Sequence, residues 1–154
     1  MSPTVTVDRE GTVTGNTLDK YGSTNPVVRR LMAGFEDTLD SLWAKASPAT
    51  FLDVGCGEGV LTQKWAQRIR GGRAVGIDLD DPLLHAEWEQ RQEPNLEYQV
   101  MKAENLPFAD GEFELAAAIE VLEHVPDPEA TEKYAKVTTP VLAIPSERTR
   151  APRP

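Results

Sequence analysis

The sequence predicts an α/β fold, a parallel sheet of about five strands with helices on both faces. Two observations carry this. Short apolar runs rich in Val, Leu, Ile and Ala alternate with segments whose apolar residues recur every three or four positions. The segment FLDVGCGEG, residues 51–59, leads an apolar strand through Asp53 into three alternating glycines, Gly55, Gly57 and Gly59, before a helix opens at Val60. Glycine leaves no Cβ between the backbone and whatever lies against it, so this turn suits a ligand resting on the chain. A second acidic strand end, VGIDLD at residues 75–80, follows about twenty residues later, the spacing of a ribose-binding carboxylate in a βαβ unit. Together these features point to a nucleoside ligand.

Residues 1–24 are polar, with Thr and Gly frequent, and read as a mobile arm. Asn25-Pro26 pairs a capping side chain with a proline at the first helical position. Val28, Leu31, Met32, Phe35, Leu39, Leu42 and Trp43 then form the apolar stripe of a helix ending near Ser47-Pro48, expected to pack in the core. Residues 50–54 form the first strand. Val60, Leu61, Trp65, Ala66 and Ile69 mark the next helix, which Gly71-Gly72 ends. The second strand covers residues 73–79. Asp81-Pro82 caps a helix bearing Leu83, Leu84 and Trp88, broken before Pro94. The third strand covers 96–101, Leu106-Pro107-Phe108 and Asp110-Gly111 form a loop and a turn, and the fourth strand covers 113–120. Asp127-Pro128 starts a short helix, and residues 141–144 form a fifth strand. Residues 145–154, PSERTRAPRP, have no pattern that could bury anything and read as a disordered tail.

Composition narrows the function. A chain of 154 residues is long enough for one domain with a real core. A net charge of −9 argues against a bare nucleic-acid binder, which needs a basic surface to neutralise phosphates. One cysteine, Cys56, allows no intramolecular disulfide. The polar amino terminus has no signal-peptide core, and the apolar run at 115–119 is far too short to span a bilayer. The expectation is a cytoplasmic soluble protein without nucleic-acid or membrane partners. No HExxH, paired-cysteine spacing or serine nucleophile elbow occurs, so no metal is expected.

The glycine loop discriminates among nucleoside ligands. A dinucleotide fingerprint, GxGxxG, would need glycine where Val60 stands, which disfavours an NAD-dependent dehydrogenase. A phosphate loop would need Gly-Lys-Ser/Thr, and Glu58 beside the turn would repel a pyrophosphate. Four stretches in series then define the match: LDVGCGEG (52–59), GIDLD (76–80), AENLPFADGEFE (103–114) and EVLEHVPDP (120–128). By these the chain resembles the class I S-adenosylmethionine-dependent methyltransferases, and particularly their type 11 branch with the ubiquinone and menaquinone methyltransferases.

The resemblance implies a Rossmann-like three-layer sandwich, with residues 25–144 as a partial methyltransferase domain binding S-adenosyl-L-methionine. Asp53 would lie near the methionine ammonium, and Gly55 and Gly57 would let the backbone approach methionine and ribose. Asp78 would accept both ribose hydroxyls, Leu79 would lie on the adenine face, and the Ala103 N–H would meet an adenine ring nitrogen. Ile119 and Glu120 would border the methionine portion, and Tyr21 would belong to a lid formed by the amino-terminal arm. Titrating near neutral pH, His124 is a candidate general base for in-line transfer of the methyl group to a small-molecule acceptor; its presence across family members with different substrates points alternatively to shaping the loop above the cofactor. Lys102 stands where the family has Asp or Asn; it has only donors, which should weaken adenine binding. Glu114 replaces the usual Asp and keeps its charge. Cys56, His85, Trp43, Trp65 and Trp88 read as structural or solvated.

Family members continue with another helix and two strands, which the resemblance implies are lacking here. Residues 141–144 would then form an unprotected edge through which the chain could self-associate as a homo-oligomer. That leaves a second expectation open, an incomplete or non-catalytic S-adenosylmethionine-binding module that needs a partner.

Overall fold

The computed structural model describes residues 6–7, 13–14, 24–119, 121 and 141–144. The expected helix at Asp127-Pro128 and the tail at 145–154 lie outside the described residues. The chain divides into two compact units, Met1–Ser47 and Pro48–Pro154.

In the first unit, β1 (Thr6–Val7) pairs antiparallel with β2 (Val13–Thr14), a short ladder within the segment expected to be a mobile arm. The helix α1 (Pro26–Ala46) begins as expected. The Asn25 side chain accepts a hydrogen bond from the Val27 N–H at 2.9 Å, and Pro26 needs no such acceptor. Ser47, in the left-handed conformation at φ 42°, ends it by donating its N–H to the Trp43 carbonyl. Only the second half of the apolar stripe is fully buried, at Leu39 and Trp43. Leu31 is 69% exposed, contrary to its expected place in the core. It lies eight residues from Leu39, about 80° away around the helix, at the flank of the stripe.

The second unit holds a five-stranded parallel sheet in the order β5-β4-β3-β6-β7. Its strands are β3 (Thr50–Val54), β4 (Arg73–Asp78), β5 (Leu96–Val100), β6 (Leu115–Ile119) and β7 (Val141–Ile144). The Rossmann-like α/β fold is therefore the one expected. The chain starts at the central strand β3, builds outward through β4 and β5, then returns to the other side of β3. That reversal between β3 and β6 is a topological switch point, where such sheets open a crevice beyond their carboxyl ends.

Strand parity separates the two faces. Phe51 and Asp53 of β3 share a face with Gly76 of β4, Tyr98 of β5 and Ala117 of β6 through the register Asp53↔Gly76↔Tyr98 and Asp53↔Ala117. On this face lies α2 (Val60–Ala66), whose Trp65 meets Phe51 edge-on with ring centroids 4.7 Å apart. The helix α3 (Pro82–Gln90) joins the same face, where its Trp88 stacks on Tyr98. Two right-handed crossovers in one direction require this shared side. Leu52, Val54, Val75, Ile77, Ala116 and Ala118 form the other face. Phe113 belongs to their cluster, and Leu106 and Phe108 of the LPF stretch pack against it. Of the connection between β6 and β7, Val121 alone is among the described residues.

Helix α2 is shorter than its sequence suggests. After Ala66 the Arg68 and Ile69 N–H groups bond to the carbonyls of Trp65 and Ala66, three residues back, so a tightened turn rather than α-helix delivers Ile69 to the core. Glu114 has a structural partner: its carboxylate accepts the Ala49 N–H at 2.7 Å, tying the entry of β3 to the approach of β6.

Candidate cofactor-binding site

The glycine loop leaves β3 and folds over the end of β4. Gly55 and Cys56 both donate their N–H to the Ile77 carbonyl, at 2.8 and 3.0 Å, and Gly59 closes the turn onto the Cys56 carbonyl at 3.0 Å. All three loop glycines have left-handed φ, at 70°, 54° and 78°. Their surroundings differ. A Cβ on Gly55 would stand 2.3 Å from Val121 Cγ2, and one on Gly59 would stand 2.5 Å from the Tyr98 hydroxyl oxygen. A Cβ on Gly57 would meet nothing within 4 Å. Packing thus accounts for two of the glycines, and Gly57 is the one that faces open space.

Asp78 closes the other side of this opening. Its Oδ2 accepts the Gly57 N–H at 2.7 Å and its Oδ1 accepts the Leu79 N–H at 2.8 Å. Each oxygen keeps a second lone pair for a ligand hydroxyl. Partial burial raises the Asp78 pKa, the two N–H donors oppose the rise, and Asp81 adds to it. The Asp78 carbonyl in turn accepts the Met101 N–H at 2.9 Å, which sets the start of the segment leading to Ala103. Ala103 is partly buried against the core cluster, and Leu79 is half-buried directly after β4.

Asp53 lies deeper than the other acid, 3% exposed, on the face covered by α2. The Thr62 hydroxyl of α2 donates to its Oδ2 at 2.6 Å. Burial pushes its pKa up to about 7; the Thr62 hydrogen bond resists and the nearby Asp78 charge adds to the rise. Cys56 is likewise pushed up, first by burial and then by the charges of Asp53 and Asp78, which agrees with an unreactive thiol. Of the expected site residues, Asp53, Gly55, Gly57, Asp78, Leu79 and Ala103 are thus placed at or near the carboxyl ends of β3, β4 and β5. Tyr21, Glu120 and His124 lie outside the described residues.

Three residues here were not singled out for the site by sequence. Thr62 partners Asp53. Trp88 donates its indole N–H to the Gly57 carbonyl at 2.8 Å, and Tyr98 donates its hydroxyl to the Gly59 carbonyl at 3.2 Å. Trp88 and Tyr98 follow apolar patterns indistinguishable from core packing, and Thr62 stands among core residues of α2, so no motif marked them. Among the described residues, no group of three or more His, Cys, Asp or Glu side chains is arranged to hold a metal, and no helix is long and apolar enough to cross a membrane.

Comparison with known proteins agrees with this geometry. The model of the family described as "Methyltransferase domain" matches residues 52–140, from the glycine loop to the edge of β7. The chain belongs to this family of class I S-adenosylmethionine-dependent methyltransferases. The ubiquinone biosynthesis O-methyltransferase of Acinetobacter baylyi is 42% identical to this methyltransferase domain over 83 residues, 50% of this chain and 33% of that protein. The corresponding Methylococcus capsulatus enzyme is 44% identical over 80 residues, again 50% of this chain and 33% of that protein. The chain therefore spans about a third of the length of the curated relatives it matches. Among solved structures, a SAM-dependent methyltransferase from Aquifex aeolicus shares the fold, with a TM-score of 0.55 at 22% identity over 68% of this chain and 62% of that one.

Proposed function

We propose that this chain binds S-adenosylmethionine and serves as a methyltransferase domain acting on a hydroxyl of a small molecule. The observation that carries the reading is the pairing of Gly57 with Asp78: an open glycine whose N–H holds, at 2.7 Å, the carboxylate expected to receive the ribose. The O-methyltransferase relatives support an oxygen acceptor.

The residues fit the ligand chemically. Asp78 would accept the ribose hydroxyls with its remaining lone pairs, already oriented by Gly57 and Leu79. Leu79 would offer an apolar surface to adenine, and the Ala103 N–H would donate to its ring. Gly55 and Gly57 would bring the loop backbone close to methionine and ribose. Asp53 would supply negative charge near the methionine ammonium, and a neighbouring cation would favour its ionised form against the burial that opposes it. When bound, the sulfonium supplies an electrophilic methyl group with a good leaving group. The protein's part is to hold acceptor and donor in line, which can account for much of the acceleration through effective molarity. His124, whose imidazole titrates near neutral pH, is assigned as general base for the acceptor hydroxyl, and the family resemblance adds Glu120 and Tyr21 as further cofactor contacts.

Titration calorimetry with S-adenosylmethionine and with NAD separates this reading from a dehydrogenase. Saturable binding of S-adenosylmethionine with no heat from NAD is expected, and the reverse would overturn the proposal. Transfer of a labelled methyl group to hydroxylated aromatic acceptors then tests turnover. Binding without transfer would mark the chain as a cofactor-binding module.

A further inference from the structure

The glycine loop is held from beneath by two aromatic side chains from two different elements. Tyr98 of β5 is wedged between two glycines. A Cβ on Gly59 would stand 2.5 Å from its hydroxyl oxygen, and a Cβ on Gly76 would stand 2.9 Å from its Cδ1. On this wedge lies Trp88 of α3, parallel to within 4° with ring centroids 5.1 Å apart. Both rings then turn their single polar hydrogen to the same loop. Trp88 Nε1 donates to the Gly57 carbonyl at 2.8 Å and Tyr98 Oη to the Gly59 carbonyl at 3.2 Å.

A buried indole or phenol always needs some partner, and satisfying it is no sign of function. What is particular here is the choice of partners. Two donors from separate elements converge on carbonyls two residues apart, in the only stretch of the loop that combines a bonded ribose-site carboxylate with open space at Gly57. A planar trans peptide turns the Glu58 N–H opposite to the Gly57 carbonyl, so the Trp88 bond fixes the direction of that donor as well. Burial raises the Tyr98 pKa, which keeps its hydroxyl protonated and able to donate. Glycine at φ 54° has wide freedom of its own, and without outside constraint the loop would sample other orientations.

We infer that Trp88 and Tyr98 are positioning residues that preorganise the Gly57–Gly59 turn for the ligand, setting affinity through the loop without touching the ligand. The ligand part rests on the S-adenosylmethionine reading; the constraint on the loop does not. Preorganisation lowers the ordering cost of binding, so loosening the turn should weaken a ligand even while the protein stays folded.

Two variants remove one donor each and keep the ring shapes: Tyr98→Phe, and replacement of Trp88 by 3-benzothienylalanine, in which sulfur stands for the N–H. In the ligand-free protein, amide hydrogen exchange should speed up by about fivefold at Gly57 and Gly59, the factor expected for losing one hydrogen bond. Exchange at Leu52 and Val75, in the central strands, should not change. Unchanged exchange in the loop, or equal acceleration in the strands, would overturn the inference. With the protein fully folded, the Kd for S-adenosylhomocysteine should rise about fivefold. An unchanged Kd despite a faster-exchanging loop would show a purely structural tie and would also overturn it. If the unsubstituted protein fails to bind S-adenosylhomocysteine, the functional reading fails, and loop exchange alone still decides whether the pair positions the turn.

Discussion

Asp53 and Asp78 are one strand apart and have different duties. Asp78 has two backbone N–H groups to satisfy, and Asp78→Ala would leave both without their acceptor. The expected cost is about 1–3 kcal/mol of stability, measured by urea unfolding, together with loss of measurable S-adenosylmethionine binding by calorimetry. Asp53 acts on stability through its proton. Its folded-state pKa of about 7 exceeds the ordinary value of 3.8, so the folded protein binds that proton more tightly than the unfolded chain. The sign follows directly: Asp53 costs nothing below pH 3.8, costs progressively more as pH rises toward 7, and levels off above it. Asp53→Asn should therefore match the parent near pH 4 and exceed it by up to about 4 kcal/mol above pH 7. Unfolding curves for the two proteins across that range check this. A difference that shrinks with rising pH would contradict the burial of Asp53.

The glycine loop is one element with three distinct constraints. Alanine at any of its glycines must adopt left-handed φ, a cost of about 1–2 kcal/mol. At Gly55 and Gly59 the new Cβ also collides with Val121 or Tyr98. Gly55→Ala and Gly59→Ala should thus destabilise clearly more than Gly57→Ala in thermal unfolding. Gly57→Ala should show the opposite balance, a small stability loss with a large loss of cofactor affinity, because its Cβ would enter the space assigned to the ligand. Equal stability losses at the three sites would mean that the loop relaxes around them. The loop's identity as a turn after Asp53 was legible from spacing alone. Which glycines are closed by packing and which faces open space was not, since Val121 and Tyr98 reach the loop from far along the chain.

At the scale of the sheet unit, stability rests on a thin sheet whose two faces are covered differently. Trp65 of α2 is fully buried against Phe51. Its replacement by alanine should cost about 3–5 kcal/mol, a large share of the 5–15 kcal/mol that keeps an ordinary domain folded. A sharply lowered urea midpoint is the expected outcome, and a shift within error would show that α2 is not part of the cooperative core. On the opposite face Leu106 and Phe108 pack against the cluster that includes Phe113, with Phe108 and Phe113 edge-to-face at 5.0 Å. The LPF stretch, noticed first as a family signature, is thus also a packing device.

Local sequence determined the order of elements from α1 to β6 and the strand β7, the caps at Asn25 and Asp81, the glycine turn and the acidic ends of β3 and β4. Each is written in neighbouring residues, through φ preference, capping or periodicity, and needs no distant contact to be read. Tertiary structure alone decided the rest. It buried Asp53 against Thr62 and brought Trp88 and Tyr98 under the loop. Those outcomes depend on strand register and on which face a crossover chooses, and such long-range pairings leave no mark in a residue's immediate neighbours. So the glycine loop announces a nucleoside site in the sequence, while the shape in which it is held comes from side chains more than thirty residues away.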